Sequence, residues 1–527
     1  MRIVPFLLVA LLAGSTTLAA PPDYDFAAVT QLLDDNIDKY EGGVVVVLQQ
    51  GDREIYTYQH GNVHRDVKEA LASASKWLSA AVVLRLAEEG SFGLDDEVGT
   101  HLPIFNTYNK GHITVRQCFS MTSGLYLDSP NYDRMGNLTL AESVELIAEN
   151  TPLVFDAGTQ LAYDGDPLQT IGRVCEVTAN SDWRTLAAAQ LFTPLGMTGA
   201  DFEHLPTNPA VGAGGRASAD EYLVFLRMIM NGGVKDDGTV FLRPRSIREF
   251  YTNATRGLPE HHSPWPAGTA QYPNGFRPDY GFGSWVTVED TQTDEVLEVA
   301  SPGLFGTYPW VDRRRNLRGI IFMYSGTGFL QTVGNNLQVL QAIRSAIDAE
   351  ASVPLPVAHI DASATAGTAP LTVDFSGAAS TDPEDDALTC VWDLGDHVTT
   401  GADIQHEFTE AGTYEGMLTV TDRKGSSDTA TVTLSVAAAN EPPVAVVDGS
   451  QTAATVGGTV QLSGSGSYDP DAGPNALTYA WSYVSGPATP APALDPDGNA
   501  MEPTFEATTE GTYVWRLTVD DGVDSDT

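Results

Sequence analysis

Ser73-Ala74-Ser75-Lys76 places a serine and a lysine three residues apart, immediately before the apolar run from Trp77 to Leu86. On a helix, positions i and i+3 share a face. If Ser73 opens one, the Lys76 ammonium lies beside the Ser73 hydroxyl and a proton has a short path between them. A serine of ordinary pKa needs such a base to act as a nucleophile. The free N–H groups and positive dipole end at the helix start would stabilise both the alkoxide and the oxyanion formed on attack. A capping serine above a solvated lysine has the same spelling, so the surrounding elements must decide between the two.

Phe26, Val29, Leu32, Leu33 and Ile37 recur at helical spacing, which predicts an amphipathic helix packed on a sheet. Val44 to Leu48 and Glu54 to Tyr58 flank Gln49-Gln50-Gly51-Asp52-Arg53 and predict a hairpin. The helix that follows Ser73 should run to about Glu89 and stop at Gly90, a glycine C-cap. Ile113 to Leu125 (ITVRQCFSMTSGL) predicts a threonine-capped helix that ends at a glycine turn.

That last segment, with the S-x-x-K before it, resembles the class C beta-lactamase-like serine hydrolases. This superfamily also holds penicillin-binding proteins, D-aminopeptidases and family VIII carboxylesterases. Further matches follow in the family's order. Phe155 to Tyr163 is similar to F-x-P-G-x-x-x-x-Y, with Gly172 and Glu176 in the helix beyond it. Gly214 to Asp220 is similar to G-G-x-x-S-x-x-D, and Tyr280 to Trp285 to Y-G-x-G-x-W. Ser301-Pro302-Gly303 stands where the third motif belongs, and Leu337 to Ala349 where the closing helix does. The resemblance implies that Ser73 is the nucleophile, Lys76 its base and Tyr163 the group that assists proton transfer to the leaving group. It also implies that the backbone N–H groups of Ser73 and Leu304 hold the oxyanion, and that Gly165, Ser301 and Gly303 lie against the substrate.

Two departures bear on activity. The usual second motif, Y-x-N, supplies an amide that can hold the lysine and a substrate carbonyl, whereas this chain has Tyr163-Asp164-Gly165. Lys76 must be oriented from elsewhere, with Asp164 and Asp166 as possible partners, although solvated loop carboxylates are at least as good a reading of these two. The usual third motif opens with a cation or tryptophan before glycine, and Ser301-Pro302-Gly303 has none. Recognition of a substrate carboxylate then loses its charge-assisted hydrogen bond, while a backbone oxyanion donor survives. Arg216 is the first alternative as an anion binder.

Past Ala349 the composition turns to Thr, Ala, Gly and Asp with strand-like alternation. Ser380 to Asp422 and Ser467 to Asp521 repeat one pattern, with one buried tryptophan per repeat expected in the core, Trp392 and Trp481 standing at matching places. Both resemble PKD-type Ig-like domains, and the first carries a near-complete W-D-x-G-D. The second repeat stops at Asp526-Thr527, where the first continues into the strand Ala430 to Val436. Either the natural chain is expected to continue past this point, the repeat being truncated as given, or this domain is expected to be frayed. Asp382 to Asp386 and Asp469 to Asp471 are read as solvated turns ahead of calcium sites.

A net charge of −41 over 527 residues argues against nucleic acid and anionic membrane as partners, and the tail's basic residues are Arg423, Lys424 and Arg516. Arg2, the apolar Ile3 to Leu12 and Leu18-Ala19-Ala20 read as a secretory signal, and no later run is long enough to span a bilayer. Cys118, Cys175 and Cys390 form no disulfide framework or metal motif. Cys118 and Cys175 could pair, and buried free thiols are the favoured reading. No zinc or nucleotide motif occurs, and His261-His262 is read as a surface loop pair.

The expected fold is an α/β domain, an antiparallel sheet flanked by helices with a helical subdomain over about 95–200, followed by two all-β Ig-like sandwiches. The expected division is a signal peptide at 1–20, a hydrolase domain at 21–350, a linker at 351–356, and PKD-type domains at 357–437 and 441–527. The expected function is secreted or periplasmic hydrolysis of a neutral small-molecule ester or amide through an acyl-enzyme, with no cofactor and no metal. A D-amino-acid peptidase or beta-lactamase is the alternative, and a catalytically silent extracellular binding protein the third reading. The tail is expected to be a spacer or to contact extracellular polysaccharide or protein.

Overall fold

A computed structural model describes residues 24–265, 279–290, 292–326, 328–348, 355–383, 386–395, 397–422, 426–448, 450–471 and 476–527. The signal segment 1–20, residues 351–354 of the linker, part of the 257–273 loop, Glu384, Asp385, Asp396, Arg423 and Lys424 lie outside the described residues. The chain forms two compact units. The first holds the residues up to Ile360 with Gly377–Ala402 and Met417–Ala430, and the second holds Asp361–Ser376, Asp403–Gly416 and Thr431–Thr527.

In the first unit a helix α1, Ala27–Asp35, leads into strands β1, Gly43–Gln50, and β2, Arg53–Gly61. Five more strands come late in the chain: β3 Asp279–Tyr280, β4 Trp285–Glu289, β5 Val296–Ala300, β6 Tyr308–Asp312 and β7 Leu317–Phe322. They join in the order β2-β1-β7-β6-β5-β4-β3, antiparallel throughout. The early hairpin is thus closed onto the late strands, with Val45 opposite Phe322 and Leu48 opposite Gly319. Val44 to Leu48 and Ile320 to Phe322 are buried at every position, so the sheet is covered on both faces.

The predicted hairpin and the helix after Ser73 are present. Helix α2 spans Ser75–Glu88, and Gly90 takes a left-handed φ of +77° just past its end. Between α2 and the late strands lies the helical part of the fold. It includes α3 Val115–Phe119, α4 Leu140–Asn150 and α5 Asp166–Ala179, followed by α6 Ala219–Met230, which packs on β6 and β7. Helix α3 has the expected threonine cap: Thr114 accepts from the Gln117 amide, and the Gln117 side chain accepts from the Thr114 amide in return.

The closing helix α7 spans Gly328–Asp348, starting well before the expected Leu337, and packs against α1. Its early part contains Gly334, Asn335 and Asn336, poor helix formers that hide it from a periodicity reading. Tertiary bonds override them, because Asn335 Nδ2 donates to the buried Tyr40 hydroxyl (2.6 Å), which donates to Asn336 Oδ1 (2.9 Å). All three cysteines are buried, Cys118 and Cys175 are free thiols, and burial pushes the pKa values of these two up.

The C-terminal residues are β-rich, as expected of Ig-like repeats. In the first unit Thr389–Asp393 pairs antiparallel with Val398–Thr400, and Trp392 is fully buried with its indole N–H donated to Gly401 O (2.8 Å). In the second unit Leu371–Ser376 pairs with Asp403–Phe408, and Thr478–Ser485 with Val514–Asp520 around the buried Trp481. Asp382 and Asp469 accept the backbone amides of Asp386 and Asp471, the role of turn carboxylates. No helix among the described residues is long and apolar enough to cross a membrane.

Candidate active site

Ser73 sits in a 3-10 turn, Ala72–Ala74, that runs straight into α2, so the i, i+3 relation to Lys76 is kept. Ala72, just before it, is held at a left-handed φ of +47°, a conformation that costs an alanine about 1–2 kcal/mol. Such strain persists only where the surroundings over-determine the backbone. Here the Ala74 carbonyl accepts from the buried Tyr222 hydroxyl (2.8 Å), and Ser75 Oγ accepts from the Gly215 amide (2.9 Å). Lys76 is 3% exposed and its Nζ donates to Ser73 Oγ (3.1 Å) and to Gly212 O (2.9 Å). One helical turn on, Ser79 donates to Val211 O (2.6 Å). The segment Val211 to Gly215 therefore holds the polar face of α2 through its backbone.

Tyr163 follows the short strand Leu161–Ala162, and the Lys76 Nζ lies 4.8 Å from the centre of its ring. The same ring stacks on Trp285 at 5.0 Å. Strand Glu260–His262 runs parallel beside Leu161–Ala162, and Tyr163 N donates to His262 O (3.0 Å). His261 and His262 thus belong to a strand backing the tyrosine, which corrects the loop part of their reading, while His261 is exposed as expected. Such a parallel contact between distant segments leaves no local pattern.

Ser301, Pro302 and Gly303 continue β5 toward the nucleophile. The Ser301 hydroxyl is buried and donates to Ser73 O (3.3 Å), and the Ser301 and Gly303 amides are donated to Pro309 O and Thr307 O. Pro302 and the exposed Leu304 line the cavity, with Leu304 in the turn that follows. A Cβ on Gly303 would stand 2.1 Å from Leu71 O, backbone that cannot swing aside. Gly303→Ala is therefore expected to push the Ser73 turn out of place and lower kcat/KM by at least about tenfold while the far-UV spectrum is unchanged. Steady-state ester kinetics on the folded variant check this, and wild-type activity would disprove the close approach.

Ser73, Lys76, Tyr163, Gly165 and Leu304 come together around a cavity of about 290 Å³, a volume suited to a small ligand. Arg216 lies elsewhere, in a two-bond ion pair with Asp201 (2.7 and 2.8 Å). The arginine that does line the cavity is Arg134, half exposed, with its Nε 3.5 Å from Asp133 Oδ1. Asp128, Asp133 and Asp164 also line it. Burial, the largest cause, raises the carboxyl pKa values of Asp133, Asp164 and Asp166, while the Lys76 charge opposes the rise at Asp133 and Asp164. Oxygens of all three carboxylates lie within 4.8 Å of one another, a spacing also open to a cation. Asp164 accepts from the amides of Leu127, Gly165 and Asp166, which ties it into the start of α5. Sequence reasoning misses Asp133, Arg134 and Gly212. The first two sit in a short 3-10 turn that carries no sequence signal, and Gly212 acts through a carbonyl that every residue type possesses.

Residues 29–342 match the beta-lactamase family model, while 353–436 and 449–527 match two different PKD domain models. The chain belongs to the beta-lactamase family. A solved beta-lactamase candidate from Bacteroides dorei DSM 17855 superposes on 62% of this chain and 99% of its own, with 27% identity and a TM-score of 0.54. Protein flp of Staphylococcus aureus is 24% identical over 175 residues, 31% of this chain and 35% of its own length. Penicillin-binding protein 4 of Amycolatopsis lactamdurans is 26% identical over 247 residues, 39% of this chain and 63% of its own. The chain thus spans about a third of the length of the first curated relatives it matches. The beta-lactamase fold here is that of a hydrolase family, followed by two PKD regions.

Proposed function

We propose that this beta-lactamase-family chain is a serine hydrolase that forms an acyl-enzyme on Ser73 and favours small uncharged esters or amides. The observation that carries the reading is the buried Lys76 Nζ at 3.1 Å from Ser73 Oγ, both at the wall of one cavity. Ser73 Oγ attacks the acyl carbonyl as its proton passes to the Lys76 side-chain nitrogen. The N–H groups of Ser73 and Leu304 hold the resulting oxyanion. Collapse breaks the bond to the leaving group, which takes up the proton with the help of Tyr163, and water then attacks the acyl-enzyme to release the acid and restore the Ser73 hydroxyl.

The preference for neutral substrates follows from charge. Position 301 offers a buried hydroxyl turned to Ser73 O, and a substrate carboxylate in the cavity would meet Asp128 and Asp164. Losing one charge-assisted hydrogen bond costs about 1.5–3 kcal/mol, or roughly one to two powers of ten in specificity. We expect kcat/KM for p-nitrophenyl butyrate to exceed that for a penicillin or a free-carboxylate D-peptide by at least about tenfold. Preference for a carboxylate substrate would sink this reading in favour of a D-peptidase or beta-lactamase. Arg134, the arginine at the cavity wall, is what favours that second reading, and Arg134→Ala would then abolish the preference.

Export rests on the apolar segment after Arg2, and the domain division adopted is 21–350, 357–437 and 441–527. The acidic PKD regions are assigned as a spacer or a contact for extracellular polysaccharide or protein.

A further inference from the structure

Position 165 has no side chain, and the space one would occupy is filled from another part of the chain. A Cβ on Gly165 would stand 1.8 Å from Asp133 Oδ2 and 2.4 Å from its Cγ. Asp133 comes from the 3-10 turn Tyr132–Arg134 and is 2% exposed, yet it lines the cavity together with Ser73, Lys76 and Tyr163. Its Oδ1 accepts no hydrogen bond, since Arg134 Nε remains 3.5 Å away. Leaving a buried polar atom this way is costly, and the cost is recovered when a bound group supplies the missing bond.

The turn that carries Asp133 is fixed. The Asp133 amide donates to Asp166 Oδ1 (3.2 Å), and Asn208 Nδ2 donates to Asp133 O (3.2 Å). Asn208 is held in turn by Gln169 (2.6 Å). A carboxyl group pinned at a cavity wall beside a nucleophile and its base is placed to touch what the nucleophile attacks.

We propose that Asp133 is a substrate-contacting residue whose carboxyl group, occupying the side-chain space of position 165, donates a hydrogen bond to a carbonyl on the acyl part of an ester or amide. This rests on the hydrolase reading above. A protonated carboxyl presents one donor and one acceptor in nearly the shape of a primary amide, so it does what an asparagine at 165 would do. Burial raises its pKa against the opposing charge of Arg134, and Asp164 nearby adds to the rise.

Ester kinetics and thermal unfolding of five proteins test this: wild type, Asp133→Ala, Asp133→Asn, Gly165→Asn and the swap Asp133→Gly/Gly165→Asn. Asp133→Ala should lose at least about tenfold in kcat/KM, and Asp133→Asn should stay within about threefold of wild type. Gly165→Asn alone should be badly impaired by the overlap with Asp133, and the swap should exceed Gly165→Asn by at least about tenfold. The proposal is overturned if Asp133→Ala matches wild type, if Asp133→Asn is as impaired as Asp133→Ala, or if the swap gives no recovery. Should Asp133→Ala fail to fold, the swap and the asparagine variant decide alone. Loss of wild-type activity in EDTA, restored by calcium, would make the cluster a cation site and also overturns it. The rate of Ser73 labelling by a fluorophosphonate is followed in parallel. A wild type that labels but turns over no ester sinks the substrate reading alone, while equal ester kcat/KM for wild type and Asp133→Ala sinks the present one.

Discussion

Lys76→Ala is expected to lower kcat/KM for a neutral p-nitrophenyl ester by about 10²- to 10⁴-fold, the range for removal of a general base. The lysine is buried and aimed, with Nζ held between Ser73 Oγ, Gly212 O and the Tyr163 ring. Its Nζ is the side-chain group that meets Ser73 Oγ among the described residues, so nothing stands ready to replace it. Residues that act as one unit are not additive, so Ser73→Ala/Lys76→Ala should be no slower than Ser73→Ala alone. Arginine should not rescue, because a guanidinium keeps its proton and cannot act as the base. Turnover of Lys76→Arg near wild type would mean that Lys76 serves only as a positive charge.

Trp77→Ala is expected to cost about 3–5 kcal/mol of stability, the usual penalty for emptying a buried aromatic site. Trp77 is fully buried next to Lys76 on α2, edge-on to Phe225 at 5.8 Å and to Phe250 at 6.1 Å. Those rings belong to α6 and to the segment Pro244–Phe250, so the indole ties the nucleophile helix to both. The cavity left behind would loosen the α2 start that Tyr222 and Gly215 hold. Urea unfolding followed by loss of esterase activity measures the effect, and an unchanged midpoint would show that α2 is not anchored there.

The elements legible in the sequence were those whose signal is local. Thr114 and Gln117 spell a capping box, Gly90 marks a helix end, and Val44 to Leu48 reads as a strand because every residue in it is apolar. Ser73 and Lys76 were legible through fixed spacing. What escaped depends on contacts between distant segments. The start of α7 is held by Tyr40 against poor propensity, and His262 pairs beside Ala162 across the chain. Asp133 escaped for the same reason, since nothing around it in sequence says that it fills the space beside Gly165. The departures at Gly165 and Ser301 could be seen as missing groups, but which groups stand near them is a property of packing.

The central claim is that Ser73 is an activated nucleophile. The most direct measurement is intact-mass analysis after incubation with a fluorophosphonate, followed by peptide mapping of the adduct. The mechanism predicts one adduct per chain on Ser73, none on Ser73→Ala, and much slower labelling of Lys76→Ala. An unlabelled wild type, or an adduct that persists in Ser73→Ala, would contradict it.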